Sequence, residues 1–218
     1  MKITFIRHAM TYGNSMKRYI GVTDEELCGE GIEKLNKMVN AGCYPDCEVV
    51  YASPMVRCKR TAQIIYPDKR IVYEKAFTEC DFGRFEGKNY AELDGDEEFQ
   101  RWIDSGGKLP FPDGEDIQEF KNRCVSGFCK VVEIYSKFNP NVRQNVKKNE
   151  RLDLDLSGKF SESGIALVVH GGTIMSVMEA FEENHRDYYE YHVKNCEGYE
   201  TVFDGRELKI MRVIKNRM

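Results

Sequence analysis

The sequence lacks any uninterrupted apolar run of membrane-spanning length, so no association with a membrane is expected. It also lacks an excess of basic residues, because 32 lysines and arginines stand against 36 aspartates and glutamates, for a formal net charge of −4. Without a global basic field, a nucleic-acid partner is not expected. An anionic substrate would therefore have to be bound by a local cluster of cations.

Two further absences concern targeting and metal binding. The apolar run at residues 1–8 is too short for a signal peptide and has no small-residue cleavage site, which predicts a cytoplasmic protein. The eight cysteines show no paired zinc-ligand spacing: Cys43 and Cys47 are four apart, and Cys124 and Cys129 five apart. We therefore expect reduced, mostly buried thiols and no structural metal.

The remaining pattern alternates strands with helices over a length that suits one domain, residues 1–218, with no internal repeat. Apolar, β-branched runs predict strands at 2–7, 49–53 and 165–170, and Asp204-Gly205 predicts a hairpin turn. Helical periodicity predicts helices near 27–41, 54–65, 89–104, 115–138 and 173–181. This order predicts a three-layer α/β/α fold with a mostly parallel central sheet.

A polar insertion at about 139–163 interrupts this alternation. Within it Leu152, Leu154 and Leu156 alternate with acidic residues, a period of two. Two interpretations stay open: an exposed excursion, or an added edge strand or hairpin that contacts a partner subunit. The oligomeric state is open as well, with a homodimer as one alternative.

Two histidines follow predicted strands directly, His8 after the first strand and His170 after the strand at 165. Ligands of parallel α/β sheets bind beyond the carboxyl ends of the strands. A single histidine there is usually a core residue, but two at equivalent ends favour a site. Ser53 is predicted to cap the next helix, with Pro54 at its first position.

Five segments carry a pattern in the same order along the chain: Arg7-His8-Ala9, Ser53-Pro54-Met55-Val56-Arg57-Cys58, Glu79-Cys80-Asp81-Phe82-Gly83-Arg84-Phe85-Glu86-Gly87, Gly114-Glu115 and Val168-Val169-His170-Gly171-Gly172. Together they resemble the histidine phosphatase, or phosphoglycerate mutase-like, superfamily over nearly the whole chain. Ala9 stands where the family has Gly, and Phe85 where it has Trp. The resemblance implies the phosphoglycerate mutase-like fold.

The resemblance also implies a site without metal or other cofactor. His8 would be the nucleophile that forms a phosphohistidine, and Glu79 would be the general acid for the leaving oxygen. Arg7 and Arg57 would neutralise the phosphoryl oxygens with planar sets of donors. His170 would be cationic or hydrogen-bonded to the same phosphate.

Two further donors are expected at the phosphate. Gly171 offers an N–H group at a helix start, and Asn14 offers an amide. His185 and His192 are interpreted as surface histidines. Cys80, next to the expected acid, is predicted to lie at the pocket rim and to be sensitive to oxidants.

A small-molecule phosphate ester is the expected partner, and hydrolysis the expected reaction. In the mutases the catalytic loop carries an arginine and a histidine where this chain has Cys80 and Asp81, and an added carboxylate would repel a second phosphate. The substrate alternatives are α-ribazole-5′-phosphate, whose phosphatases the loop resembles, and a sugar phosphate. A cofactor-dependent phosphoglycerate mutase and a non-catalytic phosphate-binding module remain the alternative functions.

Overall fold

The computed structural model describes residues 1–138 and 164–216. Within them a six-stranded sheet has the order β3-β2-β4-β1-β5-β6. The strands are β1 (Lys2–Arg7), β2 (Cys47–Ala52), β3 (Ile71–Tyr73), β4 (Gly164–Val169), β5 (Gly198–Phe203) and β6 (Leu208–Ile214). The predicted insertion at 139–163, with its alternating leucines, lies outside the described residues.

Strand β1 lies at the centre of this sheet, between a parallel and an antiparallel neighbour. Ile3 is opposite Ile165 of β4 on one side and Thr201 of β5 on the other. Strands β3, β2, β4 and β1 are mutually parallel, whereas β5 and β6 form the antiparallel hairpin predicted at Asp204-Gly205. The prediction of a mostly parallel sheet is therefore confirmed.

Helices cover both faces of the sheet. They are α1 (Tyr12–Ser15), α2 (Gly29–Asn40), α3 (Val56–Ile65), α4 (Tyr90–Leu93), α5 (Glu97–Asp104), α6 (Ile117–Phe138) and α7 (Gly171–Phe181). Three short 3-10 helices are at Lys75–Phe77, Gly83–Phe85 and Tyr188–Tyr191. None of the helices in these two described stretches has the length and apolar composition needed to cross a bilayer.

Alternate residues of β4 point to opposite layers, because successive side chains of a strand lie on opposite faces. Leu167 belongs to a core cluster with Phe128 of α6 and Ile174 of α7. Val168 belongs to a second cluster with Leu35 of α2 and residues of α3. All six residues of β4 are buried, as expected for a central strand covered on both sides.

A third cluster, the aromatic lobe, lies beside the sheet and contains Cys80, Phe85, Leu93, Phe99, Phe111, Phe120 and Cys124. Leu93 and Phe99 of this cluster come from the region predicted as one helix over 89–104. That prediction was wrong in one respect, since α4 and α5 are separate helices. Gly95, between them, has φ +82°, a left-handed conformation that favours glycine and ends the first helix.

The start of α3 also differs from its prediction. The helix begins at Val56 rather than Pro54, and the residue before it, Met55, gives it no side-chain cap. The Ser53 hydroxyl accepts only a long bond from the Met55 N–H, 3.4 Å. The prediction that Ser53 caps this helix was therefore wrong, and the shorter contact of Ser53, with His170, belongs to the site described next.

Candidate active site

The two histidines at the strand ends lie side by side, as predicted. Arg7, the last residue of β1, is paired with Val169, the last residue of β4. His8 and His170 therefore leave the sheet at the same level, and their ring centroids are 5.1 Å apart at an interplanar angle of 67°. Both side chains are buried.

His8 is held in one orientation by its own backbone. Its Nδ1 lies 2.7 Å from the carbonyl oxygen of Ala9, a contact that requires an N–H at Nδ1 and leaves the lone pair on Nε2. Burial lowers the pKa of His8 well below 6.5, and the charges of Arg57 and Arg7 lower it further. The result is a neutral imidazole with a free ring nitrogen, the form that a nucleophile requires.

His170 is fixed through both ring nitrogens. The Arg57 Nε–H donates to Nδ1 at 3.3 Å, so the ring proton is on Nε2, which lies 2.8 Å from the Ser53 hydroxyl oxygen. Burial lowers the pKa of His170 well below 6.5, followed by the charges of Arg57, His8, Arg7 and Arg123. Because Nδ1 accepts a hydrogen bond, the ring is neutral in this arrangement, and the two roles expected for His170 at a phosphate, cationic or hydrogen-bonded, stay predictions.

Arg57 is completely buried, and carbonyl oxygens of the loop between α1 and α2 bind its guanidinium group. Its Nη1 donates to Thr23 at 2.8 Å and its Nη2 to Gly21 at 2.7 Å. The N–H groups of the same two loop residues donate to Glu86 Oε1, each at 2.9 Å. The loop is thus held from both sides, which fixes the position of the arginine fork before any ligand binds.

Arg7 has a buried donor that no described residue accepts. Its Nη1 donates to the Val193 carbonyl oxygen at 2.8 Å and lies 3.1 Å from Nε2 of His192, whereas its buried Nε has no hydrogen-bond partner in the described structure. An unpaired buried donor costs free energy that a bound anion would recover. A Cβ added to Gly171 would lie 3.4 Å from Cζ of Arg7, so the start of α7 adjoins this donor.

Glu79 approaches the start of α7 from the loop after β3. Its Oε1 accepts the Cys80 N–H at 3.1 Å, and a Cβ on Gly172 would lie only 2.6 Å from the same oxygen. Burial raises the pKa of Glu79, although the Cys80 N–H and the charges of Arg57 and Arg7 act in the opposite direction. A carboxyl group of this kind retains its proton to higher pH and can serve as an acid.

Asn14 lies near His8 but has one polar atom already engaged. Its Oδ1 accepts the Thr11 N–H at 3.3 Å and the Asn195 amide at 3.1 Å. The same Asn195 amide donates to the His8 carbonyl oxygen at 3.1 Å. The NH₂ group of Asn14 is therefore the part that could donate to a phosphate. Asn195, in the segment before β5, links the Asn14 side chain to the backbone of His8.

Sequence reasoning missed several residues of this site. They are Ser53 in its contact with His170, His192 and Asn195 beyond α7, and Arg123 on α6. His185 and His192 are exposed, as predicted, but His192 also contacts Arg7. A recognised motif contained Ser53 but not its contact with His170. No motif marked His192, Asn195 or Arg123, because each reaches the site from an element far away along the chain.

The prediction for Cys80 was wrong. Its side chain is buried in the aromatic lobe, and burial raises the pKa of its thiol, so it is not a reactive thiolate at a pocket rim. Cys58, which stands where the motif has Ala, lies closer to the chemistry, with Sγ 3.5 Å from Nε2 of His170. Within residues 1–138 and 164–216, no three His, Cys, Asp or Glu side chains form a metal-binding group.

The fold is that of the phosphoglycerate mutase-like α/β proteins, as predicted. Within this class, the sequence model of the histidine phosphatase superfamily (branch 1) matches residues 3–139. The chain belongs to the histidine phosphatase superfamily. It is 29% identical over 136 residues to phosphoserine phosphatase 1 of Hydrogenobacter thermophilus, a match that covers 61% of this chain and 64% of that protein. The chain thus spans slightly less than two thirds of that relative's length.

Solved structures extend the similarity over the whole fold. The α-ribazole phosphatase of Shigella flexneri has a TM-score of 0.76 at 17% identity, covering 99% of this chain and 96% of that one. A phosphoserine phosphatase of Entamoeba histolytica, in complex with 3-phosphoglyceric acid, has a TM-score of 0.71 at 22% identity, covering 99% and 98%. At these identities the likeness establishes the fold alone.

Proposed function

We propose that this chain is a phosphomonoesterase that hydrolyses a small-molecule phosphate ester through a phosphohistidine on His8. The observation that carries the proposal is the neutral His8 ring, whose Nδ1–H is bound to Ala9 while Nε2 keeps its lone pair. Membership of the histidine phosphatase superfamily supports the same reaction.

In the proposed reaction, Nε2 of His8 attacks phosphorus as the bond to the ester oxygen breaks. Two arginines donate to the phosphoryl oxygens. Arg7 has a buried Nε without a partner among the described residues, and Arg57 is held in place by the loop carbonyls. The Nε2–H of His170, which donates to the Ser53 hydroxyl oxygen, is shared with one of these oxygens. The N–H of Gly171 at the start of α7 and the NH₂ group of Asn14 complete the set of donors.

Glu79 gives its proton to the departing alcohol, for which its raised pKa suits it. Its carboxylate then takes a proton from the water that attacks phosphorus and releases His8 and inorganic phosphate. Each step moves one proton and exchanges one bond at phosphorus, and the reactants besides the chain are the ester and one water molecule.

An experiment that quenches the reaction in alkali tests this function. The wild type, mixed with a reactive phosphate ester in the presence of a chelator, should trap an acid-labile, base-stable phosphate, and His8→Ala should trap none. Equal labelling of the two proteins, or none in either, would overturn the proposal. Binding of phosphate esters without turnover would indicate the non-catalytic alternative. Transfer between positions of phosphoglycerate that depends on the bisphosphate would indicate a mutase.

The substrate is proposed only as a class, a small organic phosphomonoester. The names of the relatives add phosphoserine to the two substrates already considered, α-ribazole-5′-phosphate, which a relative's name also contains, and a sugar phosphate. A panel of these esters, assayed as kcat/KM, identifies the preferred leaving group. We also propose a cytoplasmic location, which the eight free cysteines support. A homodimer stays a prediction, which light scattering can test.

A further inference from the structure

Arg123, on helix α6, donates to the segment that carries Glu79 and to the side chain of Glu115. Its Nη1 donates to the carbonyl oxygens of Ala76 and Thr78 at 3.0 and 2.6 Å, and its Nη2 donates to that of Glu79 at 3.0 Å. The remaining two donors bind Glu115 side-on, Nε to Oε1 at 2.6 Å and Nη2 to Oε2 at 2.8 Å. The five N–H groups of the guanidinium are thus all used.

Glu115 holds the other end of the same segment. Its backbone N–H donates to the Asp81 carbonyl oxygen at 2.9 Å, and its Oε2 accepts the Asp81 N–H at 3.4 Å. Arg123 therefore binds the backbone before and at Glu79, and Glu115 binds it two residues later. The salt bridge between Arg123 and Glu115 connects the two anchors.

Arg123 also packs on the ring of Phe120, which lies near the Glu79 carboxyl group. Its guanidinium lies 4.8 Å from the centroid of the Phe120 ring. A Cβ on Gly172 would lie 2.7 Å from Cζ of Phe120 and 2.6 Å from Oε1 of Glu79, so the ring and the carboxyl group meet at one glycine. Arg123 thus binds the backbone of Glu79 directly, and it also contacts the Phe120 ring that lies near the Glu79 carboxyl group.

We propose that Arg123 and Glu115 are positioning residues that hold Glu79 where it can pass its proton to the leaving oxygen. The inference rests on the proposed function, in which Glu79 is the general acid. Neither residue is proposed to touch the substrate. Proton transfer requires the acid within hydrogen-bond reach of the leaving oxygen, so a segment freed from these anchors should lose acid catalysis first.

Leaving groups provide the readout, because an alkoxide needs a proton as it departs and p-nitrophenolate does not. The rate of phosphohistidine formation is measured by rapid quench in alkali with phosphoserine and with p-nitrophenyl phosphate. Arg123→Lys, Arg123→Gln and Glu115→Gln should each slow the reaction of phosphoserine about 10- to 100-fold and that of p-nitrophenyl phosphate less than about 3-fold. Arg123→Lys keeps the charge but cannot reach five acceptors, so it separates geometry from electrostatics.

Arg212→Gln is the matched control. Arg212 also makes an ion pair, with Glu200 at 3.0 Å, and binds a carbonyl oxygen, that of Cys43 at 3.2 Å, but on the β5–β6 side of the molecule. It should leave the ratio of the two rates unchanged. If the Arg123 variants do not fold, Glu115→Gln, which keeps the shape of the side chain, carries the test alone.

A double variant completes the design. In a Glu79→Gln background the Arg123 substitutions should add almost nothing to the loss with phosphoserine, because they act through the same group. Suppose that phosphohistidine forms in the wild type. The positioning role would then be overturned if the variants slowed the reactions of both esters equally, or if their effects were fully additive with Glu79→Gln. Absence of phosphohistidine in the wild type would instead overturn the proposed function.

Discussion

The hydroxyl oxygen of Ser53 lies 2.8 Å from Nε2 of His170, which joins the residue after β2 to the residue after β4. Because Arg57 donates to Nδ1 of the same ring, the ring proton is on Nε2, which donates a hydrogen bond to the Ser53 hydroxyl oxygen. The three side chains therefore fix both the orientation and the tautomer of His170, and each variant at these positions has a defined expectation.

Ser53→Ala should lower kcat/KM about 10-fold, since it leaves the buried N–H of His170 without an acceptor, a loss of about 1–1.5 kcal/mol. Steady-state kinetics with one phosphate ester measures this effect. Ser105→Ala removes a hydroxyl that binds the Lys108 N–H at the end of α5 and should leave kcat/KM unchanged. An unchanged kcat/KM for Ser53→Ala would show that His170 needs no partner.

The pH profile of kcat/KM should be bounded by His8 and Glu79. The pKa of His8 is lowered by burial, so nucleophilic activity is present above that pKa, and its acid limb lies below pH 6.5. The pKa of Glu79 is raised by burial, so the acid form is present below it, and activity falls as pH rises through it. Glu79→Gln should abolish the alkaline limb and lower kcat for alkyl esters by about 10²-fold or more. Persistence of that limb would assign it to another group.

Gly172→Ala should reduce both activity and stability. The new Cβ would lie 2.6 Å from Oε1 of Glu79 and 2.7 Å from Cζ of Phe120, so one of them must move. We expect a loss of about 1–3 kcal/mol in unfolding free energy, as for other overpacked sites, measured by urea unfolding. Gly29→Ala is the matched control, because a Cβ at that first residue of α2 meets nothing within 4 Å. Equal behaviour of the two variants would contradict the close approach.

Glu182, completely buried after α7, should stabilise the fold in a pH-dependent way. Burial by itself raises its pKa, but hydrogen bonds from Tyr191 (2.9 Å) and Asn184 (2.7 Å) outweigh it and hold the pKa below its usual value. Such a carboxylate contributes stability above the unfolded-state pKa and loses it as pH falls through the folded-state pKa.

Glu182→Gln should therefore cost about 1–3 kcal/mol in unfolding free energy near neutral pH, and less as the pH is lowered towards about 3. Urea denaturation at several pH values measures both quantities. Glu183→Gln, at the exposed neighbouring position, should match the wild type throughout. A cost for Glu182→Gln that does not shrink in acid would rule out the carboxylate as its source.

Much of the fold could be predicted because its signals are local. The apolar runs of β1 and β4 and the hairpin turn at Asp204-Gly205 depend on neighbouring residues, and the structure confirms them. Predictions from local patterns were wrong where a tertiary contact outweighed the local structural preference of a residue. Ser53 has the right position for a helix cap, yet its closest partner is His170, 117 residues further along the chain.

By itself, the sequence determined the chemistry available: two histidines at strand ends, two arginines and an acidic loop, in the order of one family. The tertiary structure alone decided the states of these groups. Burial next to two guanidinium groups makes His8 neutral, because the low-dielectric surroundings disfavour a third cation. The same burial raises the pKa of Glu79, so its carboxyl group holds the proton to higher pH. Arg123, absent from the recognised segments, reaches the Glu79 loop only because α6 packs against it. Such effects depend on distances across the fold, which no local pattern of residues contains.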